Sequence, residues 1–127
     1  MKVNIIFIKQ LSTVARNILK SDTSSLETLL EKLFQFDNEA IQLIENGLED
    51  YTQNRLLSLK AHFFADRGDV SKALFEKTQY ATWAEEWYSA YKASADMSIN
   101  IEPRHAAYAY GFAGDAAKAL FETTQNI

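Results

Sequence analysis

The chain has 127 residues, 47% of them apolar and 24% charged, which excludes a disordered tail and a membrane protein and leaves room for one core. Gly and Pro together number five, far below a usual share of roughly 12%, which argues against turn-dense all-β folds. Cysteine is absent, so no disulfide frame or thiolate metal site can form, and a net charge of −4 is the wrong sign for gripping nucleic acid. The expectation is a single all-α domain over residues 1–127, built of about eight short to medium helices packed as antiparallel hairpins.

Val3, Phe7, Leu11, Val14 and Ile18 recur at helical spacing and predict a first helix ending near Lys20, although Val3–Ile8 alone also reads as a short strand. That run is too short for a secretory core, and no segment reaches 18 consecutive apolar residues, so no bilayer span is expected and the cytoplasm is the expected location. Ser24 and Glu27 form a capping box before Leu26, Leu29, Leu30 and Leu33, the second helix. Continuing its apolar stripe would bury Asp37, so a break is expected near Phe36, with Asp37 or Asn38 capping a third helix that carries Ala40, Ile41, Ile44 and Leu48, with Gly47 as a candidate C-terminal signal.

Tyr51, Leu56, Leu59, Phe63 and Phe64 mark a fourth helix that stops at Gly68. Asp69 caps a fifth, with Val70, Ala73 and Leu74, ending near Gln79. Thr82 and Glu85 make a second capping box and open a sixth helix, to about Met97. Ser98 to Glu102 reads as a loop, and Pro103 fits the first turn of a seventh helix, where its missing N–H costs nothing. Gly114-Asp115 repeats the stop and start before an eighth.

The two halves differ in composition. Residues 1–60 hold 11 of the 13 Leu and 2 of the 17 Ala. The remaining Ala and both Trp lie in the second half, where Ala107, Ala109, Ala113 and Ala117 alternate with Tyr108, Tyr110 and Phe112. Ala permits close helix approach and needs an aromatic opposite it.

The strongest single feature is a repeat. Residues 68–79 match residues 114–125 at nine of twelve positions, with an offset of 46, and Ala61 against Ala107 extends the match backward. Each copy reads as a Gly that releases the chain, an Asp that caps, and an Ala-Leu-Phe face. With Gly68-Asp69…Lys72-Ala73-Leu74 and Gly114-Asp115…Lys118-Ala119-Leu120, residues 54–125 resemble the tetratricopeptide repeat, whose helical hairpins often turn at Gly-Asp followed by Lys-Ala-Leu. The family's period is roughly 34 residues and its first-helix Trp-Leu-Gly pattern is missing here; the longer offset is nearer armadillo or HEAT units. The resemblance implies a protein-interaction surface of packed hairpins and carries over no catalytic residues. Duplication without any binding role would leave the same trace.

Chemical motifs are sparse. Glu102-Pro103-Arg104-His105 is one Glu-x-x-His, but a di-iron bundle needs a second copy and two further Glu, so no metal site is expected. His62 and His105 fall on comparable faces of their hairpins and read as locally hydrogen-bonded histidines. There is no Gly-rich phosphate loop, Gly-x-Ser-x-Gly or His-Glu-x-x-His, so neither catalytic residues nor a cofactor are expected. The sixth helix carries Trp83, Trp87, Tyr88 and Tyr91 at spacings of three and four, flanked by Glu85 and Glu86. These six are the candidate partner-binding residues, with core packing as the bland alternative for the aromatics.

The functional expectation is a non-catalytic module that binds another protein through its hairpin surface, with acidic rim residues that would steer a basic partner. A bacterial immunity- or antitoxin-like inhibitor of a basic toxin is its sharper form. A small-molecule pocket lined by Tyr and Trp, and a structural homo-oligomer, are the alternatives from other classes.

Overall fold

The computed structural model describes residues 25–45 and 53–125. The first predicted helix, the Val3–Ile8 run, Ser24, Gly47, Leu48 and Tyr51 lie outside them. The described chain is all-α, with four helices: α1 (Leu26–Glu45), α2 (Gln53–Thr78), α3 (Ala81–Ser98) and α4 (Pro103–Gln125). They pack antiparallel, up and down, with the main contacts between chain neighbours: α1 on α2, α2 on α3, and α3 on α4. Four helices therefore stand where the local signals predict more, because three expected breaks are absent.

The first of these is at Asp37. Leu29, Leu30, Phe36, Ala40, Ile41 and Ile44 are buried along one face of an uninterrupted α1, and Asp37 is buried among them at 5% exposure. A break would have left unpaired N–H and C=O groups at two new helix ends. The protein instead buries a carboxyl whose pKa is pushed up to about 7, mainly by burial and then by Asp66, against the lowering effect of Arg67. A protonated carboxyl is far cheaper to bury than a carboxylate. The start of α1 also differs by one residue from the capping-box reading: Ser25 is the cap, its Oγ accepting from the Thr28 N–H at 3.2 Å.

The other two breaks were expected at Gly68-Asp69 and Gly114-Asp115, which lie inside α2 and α4. Gly68 is a point of close approach, not a stop: a Cβ there would stand 2.8 Å from Cδ2 and Cε2 of the Tyr91 ring on α3. The turn comes eleven residues later at Gln79, which takes the left-handed conformation (φ 62) and donates its N–H to the Phe75 carbonyl at 2.7 Å. Its position past the last turn makes it the helix-ending residue a glycine would ordinarily supply. Tyr80, not Thr82, occupies the N-cap of α3 and makes no side-chain cap bond. The Ser98–Glu102 connection and the start of α4 at Pro103 agree with the sequence reading.

The core shared by α2, α3 and α4 sets aromatics against alanines. Phe75, Trp87 and Tyr91 pack with Ala84, Ala95, Ala109, Ala113 and Ala116. Only part of the expected Ala-aromatic pairing on α4 is internal: Ala109 and Ala113 are buried, whereas Ala107, Ala117, Tyr108, Tyr110 and Phe112 are exposed. The rings that fill the space opposite the α4 alanines come from α2 and α3.

Candidate functional site

The aromatic stripe on α3 divides between the core and the surface. Trp87 and Tyr91, at 6% and 4% exposure, are core side chains and unavailable as partner anchors, because α2 and α4 close over them from both sides. Trp83 is half-buried, with its ring edge-on to Phe34 of α1 at 5.3 Å. Glu86 reaches Arg67 at 3.4 Å, the same guanidinium that donates to Asn38 Oδ1 at 2.8 Å and lies over the Phe34 and Phe64 rings. Those contacts make Glu86 part of the joint between α1, α2 and α3. Glu85 and Tyr88 remain at the surface, where they line a groove of about 420 Å³ together with Ala117, Leu120, Phe121 and Thr124 of α4.

The repeat places a second surface beside this groove. On α2, the face toward α3 is made of Ala61, Gly68, Ser71 and Phe75, all buried. Ser94 of α3 donates to the Ala61 carbonyl at 2.6 Å, the Tyr91 ring covers Gly68, and Trp87 stands 6.1 Å from Phe75, ring to ring. The offset of 46 maps these four onto Ala107, Gly114, Ala117 and Phe121 of α4, and all four are exposed, Phe121 at 62%. A Cβ added at Gly114, or at Gly111 one turn earlier, would meet nothing within 4 Å. The face that receives a helix on α2 is thus repeated on α4, and among the described residues no helix covers it.

A polar cluster forms at the start of α4. His62 of α2 meets Glu102 and His105: the two imidazole centroids are 4.9 Å apart, and His62 Nε2 lies 3.6 Å from Glu102 Oε2. The Ser58 hydroxyl bonds the other carboxylate oxygen, Oε1, and the Ser94 Oγ lies 2.9 Å from His105 Nε2. The Ser58 bond, followed by the charges of His62 and His105, holds the Glu102 carboxyl below its ordinary range. Burial, and then the neighbouring His62, lower His105. One potential ligand atom from each of the three lies within 4.8 Å of the others. In the sequence Glu102 and His105 form a motif without a partner; His62, 40 positions before Glu102, supplies one because the fold brings this part of α2 against the start of α4.

Among the described residues no helix is long and apolar enough to cross a membrane. The chain matches no protein-family model, no curated protein and no solved structure.

Proposed function

We propose that the chain is a non-catalytic protein-interaction module that docks an amphipathic helix of a partner protein on the outer side of α4. The observation that carries this reading is the uncovered twin face: Ala107, Gly114, Ala117 and Phe121 repeat the set with which α2 receives α3. Small residues let a second helix approach closely, and a recessed glycine backbone accepts a ring, as Gly68 accepts Tyr91. The occupant of the α4 face is accordingly a helix that lays an aromatic side chain over Gly114 and packs against Phe121, a helix-in-groove mode of recognition. Full burial of a Phe side chain is worth about 1.5–3 kcal/mol, so Phe121 is the natural anchor.

Glu85 on the groove rim and the net charge of −4 favour a partner with a basic flank. Of the six residues expected to bind, Glu85 and Tyr88 remain in this proposal, as rim and groove wall.

The test is a photoreactive benzoylphenylalanine at position 121, activated in the cells that make the protein, with one at exposed Glu31 of α1 as control. An adduct of one other protein at position 121, lost when Gly114→Glu is added with the helical circular dichroism unchanged, is the expected result. An adduct of twice the chain's own mass would make a second copy the occupant and overturn the partner reading. So would labelling that is equal at both positions or insensitive to Gly114→Glu.

A further inference from the structure

We propose that His62, Glu102 and His105 bind one divalent first-row transition-metal ion of the Zn²⁺ type. Two imidazoles and a carboxylate are the donors such ions take, whereas Mg²⁺ and Ca²⁺ prefer oxygen ligands. The separations fit. Around Zn²⁺ at about 2.0–2.1 Å, tetrahedral ligand atoms stand roughly 3.3 Å apart. His62 Nε2 and Glu102 Oε2 are already 3.6 Å apart, and the widest of the three separations is at most 4.8 Å. Side-chain rotations of about 1.5 Å at most bring the three donors to metal distance, and His62, at 57% exposure, has room for one.

Each of the other two donors is held by a second hydrogen bond of the kind that orients metal ligands. Ser58 occupies Glu102 Oε1 and leaves Oε2 facing His62. Ser94 has a single proton, which it gives to the Ala61 carbonyl at 2.6 Å. Toward His105 Nε2, at 2.9 Å, its Oγ can therefore only accept. That fixes the proton on Nε2 and leaves the lone pair on His105 Nδ1 for the metal. With three protein donors and an exposed His62, the ion keeps at least one position for water or an exogenous ligand. The ion also ties α2 to α4 across the end of α3, adding a link between helices that are not chain neighbours.

Titration calorimetry of the chelator-treated full chain with Zn²⁺ tests the proposal, alongside ¹⁵N spectra of the histidine rings. Expected are one ion per chain, no competition from Mg²⁺, and a metal-induced shift at His105 Nδ1 with Nε2 remaining protonated. His62→Ala, at an exposed position that leaves the fold intact, abolishes saturable binding. Ser94→Ala keeps all three donors and weakens affinity by roughly 10–100-fold through loss of orientation. Absence of saturable Zn²⁺ binding, or binding that survives His62→Ala undiminished, overturns it, as does a Zn²⁺ complex that leaves the His105 Nδ1 resonance unmoved.

Discussion

Replacing Asp37 by Asn tests whether a buried, proton-holding carboxyl is what lets α1 run unbroken. The folded carboxyl is raised from 3.8 to about 7. Between those values the folded state binds more protons than the unfolded state, so stability is fully present below the lower value and is lost as pH rises through the upper one. Integrating the difference in bound protons from about pH 5 to about pH 8 gives a loss of roughly 2–3 kcal/mol, against a ceiling of roughly 4 kcal/mol over the whole window. Asn has the shape of the protonated acid and does not titrate. The stability advantage of Asp37→Asn over the wild-type chain therefore grows by roughly 2–3 kcal/mol from about pH 5 to about pH 8, and flattens above about pH 7. Urea unfolding followed by circular dichroism at intervals of pH reads this directly. His105, lowered on folding, contributes with the opposite sign, and Asp66 and Asp69, both raised, contribute with the same sign. All three are present in both proteins, so they cancel to first order in the difference. A gap between the two proteins that is constant with pH would refute the buried-acid account.

The two glycines of the repeat should respond to alanine with opposite signs. Gly114→Ala gains about 0.5–1 kcal/mol of helix stability because its Cβ meets nothing, whereas Gly68→Ala loses about 1 kcal/mol net, the 2.8 Å encounter with the Tyr91 ring outweighing the same propensity gain. Chemical denaturation of the two variants checks both, and equal shifts would remove the distinction between the covered and uncovered faces. Gln79→Gly should raise stability by about 0.5–1 kcal/mol, because glycine takes the φ of 62 without a Cβ penalty and the Gln79 side chain makes only 3.4 Å bonds to the Phe75 and Glu76 carbonyls. The shift in thermal midpoint measures it, and a loss of stability would show that those side-chain bonds outweigh the backbone strain.

What was legible in the sequence was local. Pro103 announced the start of α4, and the Ser24 and Glu27 capping box the start of α1 to within one residue, because caps and proline act through the few atoms around them. The Gly-Asp pairs were misread because one residue type serves two ends: glycine releases a chain at a turn and also admits a neighbouring ring. Which of these holds at position 68 depends on Tyr91, 23 residues away on another helix. Asp37 was misread because its cost was reckoned for a carboxylate, and burial changes the species being buried. On α3 the helical spacing put the aromatics on one stripe without saying that α2 and α4 would close over Trp87 and Tyr91 and leave Tyr88 at the groove. Nothing local could join His62 to Glu102, since their meeting is set by how α2 and α4 lie about α3. The repeat was the most informative long-range signal: it marked two related helices, and the structure distinguishes the covered one from the uncovered one.

The most direct test of the docking face is the affinity of the partner captured at position 121, measured for the wild-type chain, Phe121→Ala and Gly114→Glu, with Glu31→Lys on α1 as control. If α4 receives the partner helix, Phe121→Ala costs at least about 2 kcal/mol, or roughly 30-fold in Kd. Gly114→Glu then abolishes measurable binding and Glu31→Lys leaves it unchanged, all at undiminished helix content. Equal affinity across the four proteins would place the binding surface elsewhere and contradict the assignment of α4.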